Sequence, residues 1–184
     1  PAVGVVTIDN AHTETRLNAI ASWRSSGKLK LDAQVGHVDV RFATISLRDF
    51  NGPTWRVAAT WEPTGKLRLN LAGLQDVQLF ESDATSYVVV RSLGLSPIYA
   101  VTSKFAAQGD FKVEKREYRG DPGFVLTGAP ARQDDIRLAR VSLRYSPIQS
   151  VELSVSYEAG DRRSNEPLND FEYRSWLGAV KASF

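Results

Sequence analysis

Trp55-Arg56-Val57-Ala58-Ala59-Thr60-Trp61-Glu62 is the stretch that decides the fold. Trp55, Val57, Ala59 and Trp61 recur at every second residue, with Arg56, Thr60 and Glu62 between them. Successive side chains of an extended chain point to opposite faces, so this stretch reads as a strand with one apolar and one polar side. The same period runs outward from it. Leu67, Leu69 and Leu71 alternate with Arg68 and Asn70, and Val151, Leu153, Val155 and Tyr157 with Glu152, Ser154, Ser156 and Glu158. Val101, Phe105, Phe111 and Val113 share a parity opposite Lys104, Gln108, Asp110, Lys112 and Glu114.

Gly and Pro punctuate these runs with short turns at 26–28, 63–66, 97–99 and 147–149. Longer polar links lie near 43–52, 81–86, 119–134 and 161–170. The pattern predicts nine strands, over 15–24, 28–42, 53–62, 66–80, 87–96, 100–117, 136–146, 150–160 and 172–184, with a weaker tenth over 3–9. Short turns on one rim and long links on the other are the asymmetry of an outer-membrane barrel.

Composition narrows the choice. No run approaches 18 apolar residues, which excludes a helical membrane span. Transmembrane strands meet lipid only at alternate residues, so they keep the slightly negative mean hydropathy found here. A net charge of +2 from 23 basic and 21 acidic residues gives no footing for nucleic acid. With no Cys there are no disulfides and no thiolate metal sites. The chain starts at Pro1 with no signal-like segment, so either a leader has been removed or these residues are excised from a longer protein.

A soluble β-sandwich or lipocalin-like barrel alternates too, with its apolar face inward. Strands beyond ten residues, long charged side chains at successive polar positions, and aromatics near strand ends favour the membrane. Trp23, Trp61, Tyr99, Tyr145 and Phe184 lie by the short turns. Phe42, Tyr87, Tyr118, Phe171 and Tyr173 lie by the long links. Two belts of amphipathic rings suit two membrane interfaces, with Trp23, Trp61, Tyr145, Tyr173 and Phe184 as the main anchors. Trp176, Gly178, Val180, Ala182 and Phe184 share one parity, and a last strand closing on an aromatic resembles the barrel assembly signal.

Arg91 breaks the rule. It shares parity with Tyr87, Val89, Leu93 and Leu95, and an Arg at mid-depth in lipid costs roughly 2–4 kcal/mol. Either a bulge shifts the register there, or that face meets protein or water. His37 lies where the apolar parity changes from Leu31, Ala33 and Val35 to Val38, Val40 and Phe42, which reads as a bulge.

A search for chemistry finds no GxSxG elbow, no HExxH and no paired metal-ligand spacing. His12 reads as an exposed loop residue. His37 and Asp39 share parity and are the one pair that could activate water. Asp134, Asp135 and Asp121 read as solvated loop carboxylates, and Gly120 and Gly123 lack the context of a phosphate loop. No catalytic residue, metal or cofactor is assigned, and the chain reads as a non-enzyme. The functional candidates are the lumen-facing charges Arg56, Glu62, Arg68, Lys104, Asp110, Lys112, Glu114, Arg140, Arg144, Glu152 and Glu158, with Arg16, Arg24, Lys30, Asp32 and Asp76 beside them. Charges of both signs can pair across strands or line an aqueous path. Phe80 is the sole aromatic expected on that face.

The segments WRSSGKLKL (23–31), DFNGPTWRVAATW (49–61), PTGKLRL (63–69) and YRGDPGFVLTGAPARQDD (118–135), and residues 156–170 with their DRRSN core, resemble EpsL-type outer-membrane proteins. Those are β-barrel porins found with exosortase-linked exopolysaccharide gene clusters. The resemblance implies one barrel domain over 1–184, or the C-terminal portion of a longer barrel. It also implies a Gram-negative outer membrane, contact with its lipid, and a part in exopolysaccharide transport beside polysaccharide-export machinery. The expectation is therefore an all-β antiparallel transmembrane barrel of about ten strands. It acts as a channel with links 119–134 and 161–170 as the constriction, or as a plugged structural barrel, or, behind both, as a barrel enzyme using His37 and Asp39.

Overall fold

Every strand pairs with the strand that follows it. The computed structural model describes residues 11–25, 27–44, 46–82, 85–120 and 130–183. They form one antiparallel sheet of nine strands in strict chain order: β1 (His12–Ser25), β2 (Leu29–Phe42), β3 (Phe50–Trp61), β4 (Leu67–Ser82), β5 (Thr85–Ala100), β6 (Phe105–Arg119), β7 (Gln133–Ile148), β8 (Val151–Ser164) and β9 (Phe171–Ala182). A single short 3₁₀ turn, Ser46–Arg48, is the only helical segment among the described residues. No helix is long and apolar enough to cross a membrane. β1 and β9 are not paired with each other among the described residues. The expected strand over 3–9 lies outside them.

Six of the nine strands run longer than the sequence pattern predicts, and β2, β6 and β9 run shorter. Pro97-Ile98-Tyr99 is not a turn: β5 continues to Ala100 and turns over 101–104. The 81–86 link is mostly strand, since β4 ends at Ser82 and β5 starts at Thr85. Gly27 turns β1 into β2 with a φ of 72°, open to glycine at little steric cost.

Register sorts every strand residue onto one of two faces, because directly paired residues share a side. One face carries Arg56, Leu74, Ser92, Glu114 and Ile136 in a continuous row. This face is concave: Arg16 on β1 reaches Asp76 on β4, three strands away, at 2.9 Å. On β9 the even residues face outward instead of the odd, since Glu158 pairs with Ser175.

The convex face begins apolar at every short turn. Leu17 to Trp23, Leu29 to Val35, Trp55 to Trp61, Leu67 to Gly73 and Leu93 to Tyr99 supply alternate apolar or small side chains. Phe105 to Val113, Ala139 to Tyr145, Val151 to Ala159 and Trp176 to Ala182 continue it. The band spans seven to nine residues per strand, about 23–30 Å at ~3.3 Å per residue, comparable to the apolar belt of a membrane barrel, about 25 Å tall. These side chains touch no core: Leu17 is 76% exposed, Val155 42% and Trp176 74%. Above the band the same face turns charged, with Asp39, Arg41, Arg91, Lys115, Glu117, Arg119, Asp135, Arg137, Asp161, Arg163, Glu172 and Arg174.

This layout resolves the two sequence anomalies. β2 has no bulge: its pairing to β1 is unbroken from His12↔Phe42 to Ser25↔Leu29. β5 has none at Arg91 either. Arg91 stands above the apolar band, donates to Gln75 at 2.8 Å and pairs with Glu117 at 2.6 Å. The change of parity near His37 has another cause. β4 leaves β3 above the pair Trp55↔Gln75, and the end of the β4–β5 hairpin folds onto the concave face of β2. Val77 and Val89 join Val38, Val40 and Phe42 in a buried cluster, with Phe50 and Tyr87 packed against it. The opposite side of that hairpin gives Val88 and Val90, clustered with Tyr118.

Candidate functional site

The concave face carries the chemistry. Of the expected lumen residues, Arg56, Arg68, Asp110, Lys112, Glu114, Arg140, Arg144, Glu152 and Glu158 stand on this face by register. Glu62 and Lys104 fall in the short turns at its lower rim. Arg16, Lys30, Asp32 and Asp76 share the face, as does Arg24, opposite Lys30.

Most of these charges are neutralised locally. Lys30 meets Asp32 at 2.8 Å and Arg68 meets Glu62 at 2.6 Å. Glu114, buried, receives Lys112 and Arg116 at 2.5 Å each. Arg140 pairs with Glu158, and Arg144 with Glu152 at 3.5 Å. Gln108 donates to Asp110 at 3.0 Å. Arg56 has no ion pair among the described residues and faces Gln34 and Leu74 across its strands. Paired charges keep the face hydrated while nearly cancelling its field.

A polar trough of about 540 Å³ runs along β6–β9. Its walls include Gln108, Asp110, the Arg140–Glu158 and Arg144–Glu152 pairs and the hydroxyls of Ser142, Ser154, Ser156 and Ser175, interleaved with the apolar Ile98, Ala106 and Leu177. Ser142 and Ser156 lie 3.0 Å apart. A neighbouring space of about 520 Å³ crosses the small residues Ala72 and Gly94 toward Lys112 and Arg140.

Toward the long links, beyond the trough, the concave face carries a tight polar cluster. Asp134 is fully buried; it accepts from Arg132 at 2.7 and 3.0 Å and from the Tyr118 hydroxyl at 3.1 Å. The hydrogen bond to Asp134 raises the pKa of Arg132, fixing its charge. The Arg132 guanidinium lies over the Tyr118 ring at 4.4 Å, and Arg162 over Phe171 at 4.7 Å. The expectation of solvated carboxylates therefore fails at Asp134; Asp135 is exposed on the convex side, and Asp121 lies outside the described residues.

The aromatics redistribute. Trp23, Trp61 and Tyr145 stand on the convex face at the short-turn rim. Phe184 lies outside the described residues. Tyr173, expected at a membrane interface, faces inward instead, because the link into β9 shifts its parity by one; its hydroxyl donates to Glu158 at 2.5 Å. Gly160, its cross-strand partner, leaves the room: a Cβ there would meet the Tyr173 ring at 2.5 Å. Phe42, Tyr118 and Phe171 are likewise concave, so Phe80 is not the sole inward aromatic. The upper convex ring is made by Trp55, Phe111, Tyr157 and Trp176, each the fourth outward position from the short-turn rim. Tyr157 and Trp176 pack at 4.8 Å.

The constriction expected of 119–134 and 161–170 cannot be followed through 121–129, which lie outside the described residues. What narrows the concave side is the inward β4–β5 hairpin, which no single residue in the sequence announces. No cluster of potential metal ligands occurs among the described residues. His37 and Asp39 do not form a dyad: Asp39 accepts from Arg41 at 2.9 Å.

The family model described as "Putative beta-barrel porin 2" matches residues 13–184. No curated protein matches the chain. The family suggests an outer-membrane location, a channel function and a barrel without enzymatic chemistry. An apolar convex band, a hydrated concave face and a match over nearly the whole length agree: the chain belongs to this β-barrel porin family.

Proposed function

We propose that the chain forms the wall of a channel in the outer membrane of a Gram-negative bacterium, and that the channel conducts an exopolysaccharide. The observation that carries the reading is the trough on β6–β9, about 540 Å³, walled by serine hydroxyls and cancelled charge pairs. A sugar polymer needs many weak hydrogen-bonding partners and no strong field to trap it. Inward rings suit the apolar faces of sugars, and Phe171 and Tyr173 supply them near one mouth. The resemblance of the DRRSN and PTGKL segments to EpsL-type proteins supports the polymer, and the short-turn rim would then face the export machinery from the periplasm.

The test is conductance of the purified full-length protein in planar bilayers with size-graded dextrans. Stepwise currents, interrupted by dextran on one side, are expected. A silent membrane would remove the channel and favour a plugged structural barrel, a reading supported by the inward packing of Val77 and Val89.

A further inference from the structure

The departure of β4 from β3 leaves a mark on the outside as well. Above Trp55↔Gln75 the convex surface is indented by a hollow of about 590 Å³. Trp55, Leu93 and Val113 form its apolar floor, continuous with the band. Arg91, Lys115 and Arg137 stand at its upper edge. Register sets Arg91 directly opposite Lys115, and Arg137 directly opposite Val113, one outward position below Lys115. Like charges directly opposite destabilise a sheet unless an anion lies between them.

The acidic groups nearby offset this patch only in part. Glu117 is occupied by Arg91 at 2.6 Å and by Arg119. Glu114 borders the hollow through its strand, but its carboxylate lies on the concave face, held by Lys112 and Arg116. Asp135 lines the hollow opposite Lys115 and offsets one charge, and since neither Lys115 nor Arg137 makes an ion pair among the described residues, the rim stays net positive. The patch is amphipathic in one direction: apolar toward the band, cationic just above it. That is the order of an acyl chain and the phosphate at its head.

We propose that this hollow binds a phosphorylated lipid headgroup, with Lys115 and Arg137 on the phosphate and an acyl chain along Trp55, Leu93 and Val113. The occupant is a lipid, since a free phosphate would leave the apolar floor bare. The proposal rests on the convex face being the lipid face.

Full-length protein is reconstituted into phosphatidylcholine vesicles doped with phosphatidic acid, and lipid retained on extraction is measured by native mass spectrometry. Phosphatidic acid should be enriched at least about tenfold over phosphatidylcholine, the scale of two charge-assisted hydrogen bonds. The double variant Lys115→Gln/Arg137→Gln should lose the enrichment, while Arg174→Gln, on β9 away from the hollow, should keep it. Enrichment that is absent in the parent, or survives the double variant, overturns the proposal. So does competition by inorganic phosphate at equal concentration, which would make this an ion site. Failure of the parent to enter vesicles at all would instead overturn the membrane reading, a distinguishable outcome.

Discussion

Val155 and Ser156 are neighbours on β8 and face different media. Val155 is convex, 42% exposed and in the middle of the apolar band; Ser156 is concave and bonded to Ser142. Val155→Arg should therefore cost about 2–4 kcal/mol in urea titrations of vesicle-inserted protein, whereas Ser156→Arg should cost under about 1 kcal/mol. Equal costs would mean that the faces are misassigned. Asp134 is the other residue whose loss should be felt. Asp134→Ala strips Arg132 and Tyr118 of their shared acceptor and should cost about 2–4 kcal/mol, against about 0.5 kcal/mol or less for Asp135→Ala on the outside, measured the same way. Alternation alone distinguished these faces in the sequence, but not the role of Asp134, because burial of a link-proximal carboxylate depends on strands that converge only in the fold. Arg91 shows the complementary limit. Its parity was legible and its height was not, since the sequence does not say where along a strand the lipid stops.

Each β-hairpin is a local unit, and their existence was readable from period two and from Gly and Pro at the turns. Their ends were not: β8 runs past its predicted limit because Asp161, Arg162 and Arg163 extend it above the band, where hydropathy no longer marks a strand, and β5 runs past its limit at the short-turn rim because Pro97 lies within the strand instead of ending it. The β4–β5 hairpin is the element that most exceeds the sequence. Val88, Val89 and Val90 are apolar on consecutive positions of β5, a pattern that identifies a strand covered on both sides. Here one side covers β2 and the other meets Tyr118. If this hairpin limits flow, Val77→Asp/Val89→Asp should detach it from Val38 and Val40 and raise single-channel conductance severalfold. Unchanged conductance in an inserted double variant would show that the narrowest point lies elsewhere. The second aromatic ring was also misjudged at this scale, because aromatics near strand ends in sequence were assumed to be convex, and parity in β9 depends on the length of the link before it.

At the scale of the molecule, all four tryptophans are convex: Trp23 and Trp61 by the short turns, Trp55 and Trp176 near the top of the band. Lipids brominated along the acyl chain should quench nearly all tryptophan emission of the inserted protein, and aqueous iodide little of it. The reverse would place these rings in water. The sheet order β1 to β9 follows the chain without a crossover. A strand in such a series takes its ladder hydrogen bonds only from its two sequence neighbours, so a duplicated or lost hairpin leaves all other strand pairings intact and keeps the alternate facing of the strands after it. Gene-level slippage in steps of one hairpin could thus enlarge or shrink the bore without redesign of the remaining wall. Steps of a single strand would reverse chain direction at the seam and be selected against.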